Sequence, residues 1–203
     1  MPLFAPQSLP APLRRLPVWL LDAKRVDVAV YRAITQTPTP SLDSKMSRLT
    51  HAANGSRLWL GCAAILAVTR GARGRRAAVT GLGSVAVTSA VANLAIKPLA
   101  RRHRPDASDV PAVRGTSMPR STSFPSGHSA SAFAFATGVG TVLPRDAVPI
   151  RALAAMVAYS RVHTGVHYPA DVVAGSLLGT TIAQATAGAI ERSRPGQSAR
   201  SRS

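Results

Sequence analysis

Residues 77–96 read AAVTGLGSVAVTSAVANLAI, twenty consecutive residues without a charge. At about 1.5 Å per residue, a helix of that length extends about 30 Å, the thickness of a bilayer's hydrocarbon core. Its Ala, Gly, Ser, Thr and Val side chains suit helices that approach closely in lipid. A second segment of this kind, PADVVAGSLLGTTIAQATAGAI at 169–190, carries one charge, Asp171, near its start. These two segments decide the fold class.

Three shorter apolar segments accompany them: LWLGCAAILAVT at 58–69, SASAFAFATGVGTVL at 129–143 and AVPIRALAAMVAY at 147–159. Alone, each is too short to be read as a span. Together with the two long segments and the short connections RGARGRR (70–76) and PRD (144–146), they predict an all-α, polytopic membrane bundle of about five transmembrane helices. A soluble all-α core is the competing reading. Residues 18–35 place Leu20, Leu21, Val28, Tyr31 and Ile34 among Lys24, Arg25 and Arg32, the pattern of an interfacial helix that TPTPS at 37–41 then ends. Residues 42–53 are expected to form another short surface helix. The resulting division is an N-terminal region at 1–56, a membrane domain at 57–191 and a basic, disordered tail at 192–203.

With 25 Lys and Arg against 8 Asp and Glu, the net charge is +17 over 203 residues, of which 46% are apolar and 16% charged. This balance excludes disordered, collagen-like and acidic-tail classes and leaves nucleic acid or an anionic membrane as partner. Aromatic residues make up only 4%, few for stacking bases, so the expected partner is a membrane and not nucleic acid. A single cysteine, Cys62, can neither close an intrachain disulfide nor build a multi-thiolate zinc site. Residues 1–17 are proline-rich and lack a continuous hydrophobic region, so no signal peptide is expected.

Polar residues concentrate in three stretches beside apolar segments: KPLARRHRP (97–105), FPSGH (124–128) and SRVHTGVHYPAD (160–171). If the chain alternates direction through the bilayer, all three fall on one face and converge. Lys97 and Arg104 are seven residues apart, about 700° on a continuing helix, so both point in nearly one direction, with a helix end expected before Pro105. A basic helix end in a membrane is ordinarily a headgroup anchor. Ser126 and Gly127 open an apolar helix, where free N–H groups and the positive helix end suit an anion, although a serine there is ordinarily a cap. His128 stands beside that position. In the third stretch an Asp171 carboxylate in the first helical turn can fix the tautomer of His167, though such an aspartate also simply complements the helix dipole.

Read together, K-x6-RP (Lys97 to Pro105), PSGH (Pro125 to His128) and SR-x5-H-x3-D (Ser160 to Asp171) resemble the three-part signature of the type 2 phosphatidic acid phosphatase and vanadium haloperoxidase superfamily. The resemblance implies a helical bundle and metal-independent hydrolysis of a phosphomonoester or diphosphate, with lipid phosphates as substrates of the membrane branch. It makes His167 the nucleophile, Asp171 its orienting partner and His128 the proton donor to the leaving oxygen. Lys97, Arg104, Arg161, Ser126 and Gly127 would hold the phosphoryl group. No cofactor and no metal are expected: the acids Asp22, Asp27, Asp43, Asp106, Asp109, Asp146, Asp171 and Glu191 are too scattered for a two-metal centre.

Arg101, Arg102 and His103 are read as rim charges, His163 as off the pattern and His51 as an ordinary surface or packing residue. A vanadate-dependent haloperoxidase-like enzyme and a noncatalytic basic membrane- or nucleic-acid-binding protein are the alternatives. Basic residues on both faces leave the side of the site open, with a lean towards an outward-facing site. Phosphatidic acid, phosphatidylglycerol phosphate, polyprenyl diphosphate and polyprenyl-linked sugar phosphates share the required headgroup. Neither the 106–123 loop nor any other segment carries a code for the lipid or for an oligomeric state.

Overall fold

Eight helices follow one another along the chain: α1 (Val18–Gln36), α2 (Pro40–Ala52), α3 (Arg57–Thr69), α4 (Gly71–Val91), α5 (Lys97–Ala100), α6 (Gly127–Gly140), α7 (Ala147–His163) and α8 (Pro169–Arg192). The computed structural model describes residues 17–106, 110, 111, 114, 118, 119 and 121–192, and among these there is no strand. The proline-rich start, the tail beyond residue 192 and Asp109 lie outside the described residues. A π turn at Ala92–Ile96 joins α4 to α5, so Gly71–Ala100 forms one 30-residue helical run.

The two segments read as spans occupy this run and α8, both long and apolar enough to cross a bilayer, with only 33% and 22% of their most apolar windows buried. A core helix of a soluble protein would bury most of such a window. Here the apolar side chains face outward instead: Leu94 is 80% exposed and Leu99 84% on the Gly71–Ala100 run, and Leu177 63% on α8. Outside water, such surfaces need lipid. The shorter α3, α6 and α7 complete a five-helix bundle with α6 at its centre, packed against α4, α7 and α8.

Small residues explain that central packing. A Cβ on Gly138 of α6 would lie 2.8 Å from the Ser84 hydroxyl and 2.9 Å from the Gly81 Cα of α4. One on Gly179 of α8 would run into the Ala130 carbonyl of α6. Aromatic volume fills the space left on one flank, where Trp59 and Phe135 are both buried with ring centroids 5.5 Å apart.

Three local expectations are corrected. Residues 71–76 are not a connection but the first turns of α4; Gly71, at φ +55°, reverses the chain directly after Arg70. The helix through Lys97 stops at Ala100, because Arg101 adopts a left-handed conformation, so Lys97 and Arg104 do not share a helix face. Finally, α2 is not merely a surface helix: Asp43 and Thr50 are buried, with α2 packed against α7.

Helix α1 buries the face carrying Asp27, Tyr31 and Thr35 and ends at Gln36 as expected. Arg114, itself buried, donates to the carbonyls of Ile34 (3.0 Å) and Thr35 (2.9 Å) and pairs with Asp43 (2.8 Å). Burial alone would raise the Asp43 carboxyl. Hydrogen bonds from Thr39 and His163, with the Arg114 charge, outweigh it and hold the group below its ordinary range. His163, off the sequence pattern, therefore serves this structural cluster, with Nε2 2.9 Å from Asp43.

The close approach of α8 to α6 predicts that Gly179→Ala lowers stability by about 1–3 kcal/mol through overpacking. Gly61→Ala on α3, where a Cβ meets nothing within 4 Å, should leave stability unchanged or slightly raised. Thermal unfolding in detergent compares the two; equal effects would contradict the close packing.

Candidate active site

All three polar stretches lie at one end of the bundle, where α5 and α7 end and α6 and α8 begin. Counting crossings anticipates this convergence. The third stretch turns at Gly165, whose φ is +73°, and the Arg161 carbonyl accepts from both the Val166 and the His167 N–H at 3.2 Å. Arg161 thus fixes the His167 backbone while its own guanidinium, buried, donates to Thr50 Oγ1 at 2.9 Å.

His167 has two chemically distinct ring nitrogens. Nε2 lies 3.1 Å from Arg104 Nη1, which can only donate, so Nε2 must present its lone pair. The proton is then on Nδ1, which faces Ser123 Oγ at 3.4 Å and Asp171 Oδ2 at 3.6 Å. Burial, assisted by the Arg104 and Arg161 charges and opposed by Asp171, pushes the imidazole down to about 4. At neutral pH it is an unprotonated imidazole whose Nε2 lone pair faces an arginine.

Asp171 is fully buried and fully used. Its Oδ2 accepts from Ser123 Oγ (2.5 Å) and the Tyr168 N–H (3.0 Å), and its Oδ1 from Arg102 Nη1 (2.8 Å). Arg102 is therefore not a rim charge. Its other terminal nitrogen pairs with Asp27 at 2.5 Å, and its guanidinium lies 4.4 Å from the centroid of Tyr168. Asp27 in turn accepts the Ala170 N–H at 2.8 Å, and the Tyr31 ring packs at a tilt against Tyr168, with centroids 5.2 Å apart. A chain of contacts from α1 thus braces the start of α8.

The remaining expected residues also gather here. Arg104 is anchored by the carbonyls of Ser121 (2.8 Å), Thr122 (3.2 Å) and Val166 (2.9 Å). Lys97 Nζ donates to Asn93 at 2.8 Å and lies beside Gly127, 3.5 Å from where a Cβ on that residue would sit, an ordinary contact distance. Ser126 takes the cap position, accepting from Ser129 N–H (3.4 Å) and Ser129 Oγ (2.9 Å), while its own N–H donates to the Asp171 carbonyl at 2.9 Å. His128 is within electrostatic reach of Arg161, His167, Lys97 and Arg104, and its Nε2 is 2.8 Å from Asn54 Oδ1.

Sequence reasoning missed Ser123, Arg102, Asp27, Thr50 and Asn54. Only Asp27 carried a signal: it lies four residues before Tyr31 on the stripe read as apolar, where a lone acid demands a partner. Among the described residues, no group of three or more His, Cys, Asp or Glu side chains is placed to hold a metal ion.

The sequence model of the PAP2 superfamily matches residues 78–195, more than half of the chain and all three polar stretches. The chain belongs to the PAP2 superfamily. It is 37% identical over 165 residues to the decaprenylphosphoryl-5-phosphoribose phosphatase of Mycobacterium tuberculosis, covering 79% of this chain and 88% of that relative. Its fold matches the transmembrane PAP2-type phosphatidylglycerolphosphate phosphatase of Bacillus subtilis with a TM-score of 0.63 and 25% identity, over 86% of this chain and 89% of that one. LpxE of Aquifex aeolicus shares the fold at a TM-score of 0.62, with 21% identity, over 79% of this chain and 94% of that one. This PAP2 protein is a membrane lipid-phosphate phosphatase.

Two predictions follow from the geometry. Arg102→Ala leaves two buried carboxylates without their paired cation and should cost about 3–5 kcal/mol. Asp27→Asn retains an acceptor for the Ala170 N–H and should cost less; the reverse order in detergent unfolding would contradict the brace. The neutral form of His167 is favoured in the folded chain, so the unfolded chain binds that proton more readily and stability is lost as pH falls from 6.5 to about 4. The stability of the wild type relative to His167→Gln should fall by on the order of 3 kcal/mol between about pH 7 and about pH 4. A pH-independent difference would reject the shift.

Proposed function

We propose that this phosphatase removes the terminal phosphate of a polyprenyl-phosphate-linked sugar phosphate at the cell membrane, through a phosphohistidine on His167. In this reading His167 Nε2 forms a bond to phosphorus as the bond to the leaving oxygen breaks, and His128 gives that oxygen its proton. His128 then takes a proton from water, whose oxygen attacks phosphorus and breaks the P–N bond, releasing phosphate and regenerating His167. Asp171, with Ser123, holds the Nδ1–H tautomer throughout.

Lys97, Arg104 and Arg161, with the Ser126 hydroxyl and the Gly127 N–H, hold the equatorial oxygens, where charge stabilisation does most of the work of phosphoryl transfer. These cations take the electrostatic part that divalent ions play elsewhere, so the reaction needs no metal. Residues 57–191 form the phosphatase unit, with 1–56 as its membrane-surface support. Identity to the mycobacterial phosphatase across most of both chains favours a sugar phosphate over phosphatidic acid, phosphatidylglycerol phosphate or a polyprenyl diphosphate.

The observation that carries this reading is the inequivalence of the two His167 nitrogens: one faces Arg104 at 3.1 Å and the other faces Ser123 and Asp171. His167→Ala should abolish phosphate release while the protein remains folded in detergent, and rapid acid-free quenching of wild type with labelled substrate should trap label on residue 167. Turnover by the variant, or label elsewhere, rejects the assignment. Chelator should leave the rate unchanged; a loss restored by a divalent ion rejects metal-free chemistry.

A further inference from the structure

A cavity of about 140 Å³ opens beside His128, between the α2–α3 turn, the end of the α4–α5 run and the start of α6. Its polar lining comes from Ser56, Ser89, Asn93, Lys97, His128 and Ser131, and no apolar residue in its wall is larger than alanine. The Ser89 and Ser131 hydroxyls, 3.4 Å apart, join the walls contributed by α4 and α6. Hydrocarbon entering this space would desolvate hydroxyl and amide groups without replacing their hydrogen bonds. A separate groove of about 370 Å³, lined by Ile96, Phe124, Leu177, Leu178 and Ile182 among others, offers apolar walls instead.

The turn that closes the cavity is itself unusual. Gly55 and Ser56 are both left-handed, at φ +60° and +59°. For serine this conformation is uncommon and costs energy. It puts Ser56 in the cavity wall and sets Asn54 against His128 Nε2 at 2.8 Å, so the strained turn serves this space rather than the core.

We infer that this cavity is the leaving-group subsite and takes a hydroxylated group, a sugar or polyol, whose hydroxyls bond to Ser56, Ser89, Asn93 and Ser131. The inference rests on the reading of His128 as the acid: with the phosphoryl group held at the Lys97 and Gly127 edge of the cavity, the oxygen that leaves phosphorus sits at His128, and whatever is attached to it lies against the serine-lined remainder. When the bond from phosphorus to that oxygen breaks, the oxygen takes the His128 proton and remains as one more hydroxyl among the serines. At about 140 Å³ the space is well below the roughly 300–1,000 Å³ of drug-sized ligand pockets and suits a single ring.

The test compares kcat/KM for a polyprenyl-phosphate-linked pentose 5-phosphate and for phosphatidic acid in mixed micelles, in wild type and in the double variant Ser89→Val, Ser131→Val. The ratio of the two values should favour the pentose phosphate in wild type and fall at least tenfold in the variant. On wild type alone, the dephosphorylated pentose lipid should inhibit at least tenfold more strongly than polyprenyl phosphate. An unchanged ratio, or equal inhibition by the two lipids, overturns the subsite while leaving the phosphatase reading standing. No phosphate release from any lipid by wild type overturns both.

Discussion

A carboxylate with no exposed surface is tolerable only where its lone pairs are met, and Asp171 sets that condition for the whole site. Its partners come from three separate parts of the chain: Arg102 after α5, Ser123 before α6 and the Tyr168 N–H at the start of α8. Satisfying one side chain therefore brings the ends of distant helices to one place. Arg102 cannot serve Asp171 alone without leaving its second terminal nitrogen poorly used, and Asp27 supplies the remaining partner from α1. In this way the N-terminal helix, outside the five-helix bundle, becomes part of what orients His167.

Such a polar end requires a bundle rigid enough to hold it, and the central helix provides that by being nearly featureless. Gly138 lets α4 lie against α6, and Gly179 does the same for α8. In lipid there is little hydrophobic drive between helices, so dispersion contacts at short range carry the association. Large apolar residues would widen the spacing and separate the helix ends that carry Lys97, Ser126 and Asp171. The outward surface can meanwhile be built from Val68, Leu94 and Leu99 without affecting the site.

Much of this was legible in the sequence because it depends on period and order. Uncharged runs mark helices, and alternation of direction places 97–105, 124–128 and 160–171 at one end whatever the packing details. What was hidden depends on backbone conformation and on single partners. Nothing in KPLARRHRP signals that Arg101, a residue with a Cβ, turns left-handed and ends the helix four residues before Pro105. Arg102 looks like its neighbours in sequence, and only the position of Asp27 on a buried stripe, far away in the chain, distinguishes it. Ser123 is one of several serines and threonines before FPSGH, and its role depends on a register that spacing alone does not fix.

The distribution of charge partners gives the site its direction. Asp27 and Asp171, the carboxylates nearest the His167 ring, are both engaged with Arg102. Lys97, Arg104 and Arg161 are left with neutral partners, respectively an amide, backbone carbonyls with a serine hydroxyl and an imidazole, and a threonine hydroxyl. Three cations held close together without a carboxylate within 4 Å among the described residues repel one another, and partial burial weakens the screening that would relieve them. In the proposed mechanism a phosphoryl dianion held by the three cations would relieve that repulsion. The brace at Asp171 therefore does two things at once: it sets the tautomer of His167, and by pairing Asp27 and Asp171 with Arg102 it leaves the other cations for the phosphoryl group in the proposed mechanism.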